Sequence, residues 1–204
     1  MKERKPDTRR LVMAAMLCGI LIVMETSGIG FVQLGAFKVT TMHIPVILGA
    51  VLMGWKTGLG LGAVFGLCSV WTNSTKPGPT SFMFSPFLAD DAAGAFKAIW
   101  IALGCRILFG LIAGLIWKGL KKTRLNDFIA LPVCAVTSTL THTILVLSSI
   151  YLLMQTEPIS VGGLFYYILG VVASNGIFEM LLAAVLVTAI GKALMPVVAR
   201  MKKR

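Results

Sequence analysis

Charged residues are scarce in this 204-residue chain, at 13% against about a quarter in an average soluble domain. With 57% hydrophobic residues and a mean hydropathy of +0.88, that scarcity excludes a soluble globular fold and points to a membrane protein. No polar segment is long enough to fold as a domain with its own core. Histidine is nearly absent: His43 and His142 are the only two. No G-x-S-x-G motif accompanies them, so an intramembrane enzyme would lack both a nucleophile with its base and a metal cluster. Cys18, Cys68, Cys105 and Cys134 lie inside apolar runs without metal-ligand spacing. They read as small buried hydrophobes, and no metal or cofactor is expected.

Acidic residues are also few, eight against nineteen Lys and Arg, for a net charge of +11. Such a balance can signal nucleic-acid binding, but here the cations sit at the ends of the apolar runs, where a membrane protein places them. Gly49 to Thr57 reads G-x-x-x-x-G-W-K-T, and Trp55 breaks the Gly-Lys adjacency that a phosphate-binding loop requires. The basic start, Met1 to Lys5, looks like a signal-peptide n-region. The run from Leu11 has no clear cleavage site and is long enough to span, so it is expected to be retained.

What is present is an all-α pattern of six apolar segments, about one per 20 residues of membrane crossing. The whole chain, 1–204, reads as a single integral membrane domain. Its spans are expected at about 10–31, 43–54, 58–71, 98–117, 128–154 and 163–191. Ala15 and Gly19 in the first form a small-xxx-small pair that lets another helix approach. Pro45 opens the second at a tolerated first-turn position. Gly58, Gly62 and Gly66 give the third a smooth strip, and Gly110 and Gly114 mark a similar contact in the fourth. The longest non-apolar stretch, about 73–97, interleaves Phe82, Phe84 and Phe87 with Pro77, Pro79 and Pro86. That composition suits an ordered flap, either a lid over a pocket or a loop resting on the membrane interface.

Polar groups inside the spans carry the functional signal. Asn175 and Glu179, at i and i+4, share one helix face. Burying the carboxylate in a bilayer costs roughly 2–4 kcal/mol, so it should face a partner or a wet cavity. Glu25 is a second intramembrane carboxylate. Arg106, about eight residues into its span, offers a fixed charge and a five-donor fork suited to a carboxylate or phosphate. His142 is mid-membrane and shares a face with Thr139, Val146 and Ser149. Arg106, His142, Asn175 and Glu179 together suit a small, polar, anionic ligand. Glu179 would then pair with Asn175, His142 or Arg106, or carry a proton.

Cations set the orientation. Lys and Arg concentrate at the N-terminus, at Lys56, in the 118–124 loop and from Lys192 to Arg204, while the alternate loops hold Lys38, Lys76 and Lys97. With six spans every rich segment falls on one side, so both termini are expected in the cytoplasm. The 73–97 loop is then extracellular, over the helices carrying Arg106 and Asn175.

The segments Thr41-Met42-His43-Ile44-Pro45-Val46-Ile47-Leu48-Gly49-Ala50, Phe84-Ser85-Pro86, Thr141-His142-Thr143 and Asn175-Gly176-Ile177-Phe178-Glu179 carry a family likeness. On these the chain resembles the substrate-binding S components of energy-coupling-factor (ECF) vitamin transporters, in the branch with pantothenate-type and pyridoxine-type members. The resemblance implies a bacterial membrane protein that captures a vitamin from outside through a gating loop and topples to release it inside. It also implies a shared transmembrane T component and two ATP-hydrolysing subunits as partners. His43 and Phe84 join Arg106, Thr139, His142, Asn175 and Glu179 as candidate substrate-binding residues. Ala15 and Gly19 match in part the small residues with which the family's first helix contacts the T component.

Within the family pantothenate fits first, since its carboxylate would answer Arg106 while its hydroxyls and amide could meet Asn175, His142 and Thr139. A pyridoxine-type ligand, another small carboxylate or another vitamin is the alternative. From another class, a stand-alone proton-coupled transporter would use Glu179, Glu25 and His142 as a relay. Such a protein usually shows an internal repeat or paired broken helices, and neither is clear here.

Overall fold

The computed structural model describes residues 8–34, 37–78, 80–123, 125–154 and 161–202. Met1 to Lys5, Arg124, the final loop 155–160 and Lys203–Arg204 lie outside these residues. Six helical rods follow one another. They are α1 (Thr8–Ser27), α2 (His43–Met53), α3 (Trp55–Thr75), α4 (Ala92–Ile99) continuing into α5 (Cys105–Lys122), α6 (Asp127–Met154), and α7 (Val161–Val171) continuing into α8 (Ile177–Lys202). Each continuation runs through a π-helical turn, Trp100–Gly104 in one rod and Val172–Gly176 in the other.

Four of the described rods are long and apolar enough to cross a membrane: Thr8–Ser27, Ala92–Lys122, Asp127–Met154 and Gly162–Arg200. Their outward faces carry large apolar side chains such as Met16, Leu115, Phe128 and Val185. In water such a surface would be an aggregation liability; against lipid it is the expected exterior.

The helical reading holds, with one addition. Phe31–Leu34 (β1) and Phe37–Thr40 (β2) pair as an antiparallel hairpin, with Phe31 opposite Thr40 and Leu34 opposite Phe37. It falls in the stretch between the first two apolar runs. Two strands satisfy each other's backbone groups without a continuous helix. The non-helical stretch after α3 is 76–91, with two single 3₁₀ turns at Ser81–Met83 and Pro86–Leu88. The Asp91 carboxylate then caps the start of α4 by accepting the Gly94 N–H at 2.7 Å.

At the centre stands α2. Every residue of it is buried, because α1, α3, α5, α6 and α8 all pack around it. A helix apolar on all sides is a core helix, and Val46, Ile47 and Ala50 meet no solvent. Its last carbonyl is capped by the Arg10 guanidinium, which donates to Met53 O at 2.8 Å.

The closest seam joins α3 to α5. A Cβ on Gly58 would overlap the Gly110 carbonyl, one on Gly62 the Arg106 carbonyl, and one on Gly114 the Trp55 backbone. The glycine strips read from the sequence therefore meet each other, and backbone approaches backbone with no side chain between them.

Candidate functional site

The shortness of α2 creates the site. Eleven residues rise about 16 Å, roughly half of a 30 Å hydrocarbon core, so the five surrounding rods enclose a space beyond its N-terminus. That space is a cavity of about 360 Å³, within the roughly 300–1,000 Å³ of small-ligand sites. Met42, the residue before α2, lies at one end, and Thr40, Thr80 and Phe84 come from the connecting segments. The walls are Glu25 of α1, Phe65, Ser69 and Asn73 of α3, Arg106 of α5, His142, Thr143, Val146 and Leu147 of α6, and Asn175, Gly176 and Glu179.

Arg106 is fixed before any ligand arrives. The π turn that precedes it shifts the helix register, so that the Cys105 N–H bonds Trp100 O instead of a residue four back. This leaves carbonyls in the turn short of their usual donors. Nη1 of Arg106 donates to two of them, Ile101 O at 3.2 Å and Ala102 O at 2.9 Å. The guanidinium carbon lies 4.7 Å from the centre of the Phe65 ring and 5.4 Å from that of Phe84, both within cation–π range. Only 8% of the residue is exposed, and its Nε has no hydrogen-bond partner among the described residues. The guanidinium thus keeps an unpaired donor at the cavity.

The second π turn holds Asn175, whose Oδ1 is buried without a partner among the described residues. One turn on, Glu179 Oε1 accepts the Thr40 N–H at 2.7 Å. Here the structure supplies a partner that was not foreseen. The carboxylate holds the end of the hairpin, a backbone donor that periodicity on its own helix could not reveal.

His142 reaches the cavity while packed against Phe109 at 4.8 Å and Phe65 at 5.9 Å between ring centres. His43 stacks on it from the other side, at 6.2 Å and 20°. His43 and Thr139 are themselves fully buried and are not among the wall residues. Neither nitrogen of His43 nor the Thr139 hydroxyl has a partner among the described residues.

The 76–91 segment is tied to the last turns of α3 by hydroxyls. Ser81 Oγ donates to Asn73 Oδ1 at 2.8 Å and accepts the Gly78 N–H at 2.9 Å. Ser74 and Ser85 hydroxyls meet at 2.7 Å. Ser81 and Ser85 are buried, and Phe84 between them is held over Arg106.

Of the residues singled out by sequence, Arg106, His142, Asn175, Glu179 and Phe84 thus share one cavity, and His43 and Thr139 are buried outside its walls. Ala15 and Gly19 lie elsewhere, exposed on the outward side of α1, and a Cβ on Gly19 would meet nothing within 4 Å. Sequence reasoning missed Ser69, Asn73 and Thr80 as wall residues, and noted Glu25 without placing it. Ser69 and Asn73 carry a signal in retrospect: a polar pair at i and i+4 on an otherwise apolar helix.

Comparison with known proteins agrees with this architecture. The family model described as "ECF transporter, substrate-specific component" matches residues 9–191. The chain is 34% identical over 197 residues to the pantothenic acid transporter PanT of Lactococcus lactis subsp. cremoris (strain MG1363), covering 94% of this chain and 96% of that one. It is 28% identical over 207 residues to the pantothenate transporter PanT of Leuconostoc mesenteroides subsp. mesenteroides, covering 95% of each. The chain belongs to the family of ECF transporter substrate-specific components, and it is a multi-pass protein of the cell membrane.

Proposed function

We propose that the chain is the capture subunit for pantothenate, taking it from outside the cell and delivering it through an ATP-driven module made of other subunits. The observation that carries this reading is the buried guanidinium of Arg106, clamped by two carbonyls and two aromatic rings with Nε unpaired at the cavity. A donor fixed in advance pays little ordering entropy when a carboxylate arrives. Asn175, Asn73, Thr143 and His142 offer donors and acceptors for the ligand's amide and hydroxyls. The names of both relatives point to the same ligand.

In this reading five rods span the membrane, α2 and the hairpin before it together make the sixth crossing, and both termini lie in the cytoplasm, as the cation distribution favours. The chain is one membrane domain. The hairpin and the 76–91 segment lie on the outer side and gate the cavity. Phe84 then covers a ligand held by Arg106, while His43 and Thr139 support His142. The exposed face of α1 with Ala15 and Gly19 docks on the transmembrane T component, and two ATPase subunits supply the energy. A pyridoxine-type ligand and a stand-alone proton-coupled transporter are the competing readings.

Calorimetric titration of the purified chain in detergent, without partners or ATP, distinguishes them. Tight binding of pantothenate, with other vitamins silent, is the expected result. Tight binding of a pyridoxine-type compound instead would replace the ligand. A folded sample that binds no vitamin would overturn the capture role.

A further inference from the structure

A second concavity lies on the far side of α3 from the ligand cavity. It is a groove of about 560 Å³ between α1 and α3, lined by Ile22 and Thr26 of α1, by residues from Leu67 to Thr75 of α3, and by Phe87 of the 76–91 segment. Its character changes along its length. Towards the middle of the helices it is bounded by Ile22, Leu67 and Val70, and towards their ends by Thr26, Thr72, Ser74 and Thr75. Trp71 and Phe87, 66% and 80% exposed, stand at its sides.

Lys76 closes the polar end. Its ammonium donates to Thr26 O at 3.1 Å, so it is held at a groove residue. An ammonium carries three donors and accepts nothing, which leaves two for another acceptor. The neighbouring hydroxyls cannot substitute for it as donors. Thr26, Ser74 and Thr75 already donate to carbonyls of their own helices.

An apolar trough with one tethered cation at its end matches the profile of a single phospholipid: acyl chain along Leu67 and Val70, headgroup phosphate at Lys76. We propose that this groove holds one anionic phospholipid of the outer leaflet. A charged headgroup is favoured because the Lys76 ammonium is held at the groove's end with two donors to spare. The position also matters for the protein, since Phe87 on the groove and Phe84 on the ligand cavity belong to the same short segment. A chain seated against Phe87 holds that segment to α3. This inference rests on the membrane location and on the proposed orientation, and not on which ligand fills the cavity.

The test is native mass spectrometry of the full chain in mild detergent, offered equal amounts of phosphatidylglycerol and phosphatidylcholine with identical acyl chains. Wild type should retain one phosphatidylglycerol with about a fivefold preference, the scale of one lysine at a charged membrane surface. Leu67→Trp, at an exposed position where the larger ring fills the groove, should lose the retained lipid. Lys76→Gln, on the surface and harmless to the fold, should retain lipid without the preference. Equal retention of both lipids by wild type would overturn the proposal. So would undiminished retention by Leu67→Trp, or an unchanged preference in Lys76→Gln.

Discussion

Glu179 Oε1 accepts the Thr40 N–H at 2.7 Å across 139 positions of sequence, and so fastens the end of the β1–β2 hairpin to the wall of the ligand cavity. Both residues line that cavity. An intramembrane carboxylate is thereby given a backbone partner, and a segment that borders the cavity, and in the proposed reading gates it, is given an anchor. Removing the carboxylate affects closure before it affects the ligand's own contacts.

Glu179→Ala should therefore speed ligand release more than it slows association. A hydrogen bond to a charged group is worth about 1.5–3 kcal/mol, so dissociation should rise about tenfold or more. Glu179→Gln keeps an acceptor oxygen and should be milder. Stopped-flow dissociation of ligand from the two variants checks the order, and equal rates in both would refute the tether.

Arg106→Ala should abolish binding while the protein still folds, because the guanidinium lines a cavity and its loss leaves only helix carbonyls exposed to it. Arg106→Lys is the sharper test. A lysine keeps the charge but lacks the planar fork that reaches two carbonyls while lying between Phe65 and Phe84. Losing one partner of a buried charge pair costs about 2–5 kcal/mol, so affinity should fall about thirtyfold or more. Calorimetry showing wild-type affinity in either variant would remove Arg106 from the site.

Gly62→Ala should destabilise the bundle and weaken binding together, since its Cβ would overlap the Arg106 carbonyl. Overpacking of this kind costs about 1–3 kcal/mol. Gly60, on the same helix with nothing within 4 Å of a Cβ, is the control, and Gly60→Ala should be neutral. Thermal unfolding and ligand titration of the pair would reveal any failure of this contrast.

Leucine at both Ala15 and Gly19 should spare ligand binding, because neither residue is a wall of the cavity and both are exposed. Assembly with the T component should be lost, because bulky side chains block the close approach that small residues permit. Co-purification of an intact complex would refute that docking face.

Much of this was legible in the chain itself. Scarce charge, six apolar runs and cations at their ends established a membrane bundle. Arg106, His142, Asn175 and Glu179 stood out because an ionisable or amide group in an apolar run is costly unless it has a use. The glycines at 58, 62 and 66 announced a helix contact: Gly58 and Gly62 found it against Gly110 and Arg106 on α5, and Gly66 against Ala102 and Leu103 of the π turn. Those features depend on spacing along one helix, and spacing is what a sequence records.

Other features were decided only in three dimensions. The short α2 could be seen as a short apolar run, but only five rods packed around it turn the missing length into a cavity. Ser69, Asn73 and Glu25 became wall residues through the rotation of α3 and α1 about their axes, which periodicity leaves free. His43 and Thr139 fell outside the walls for the same reason. The two π turns, which aim Arg106 and Asn175, arise from the local balance between helix register and tertiary packing and have no reliable signature in residue type. The sequence determined what each helix face carries. Packing between helices, set by where backbones come close enough to touch, decided which faces meet and so which polar groups share a ligand.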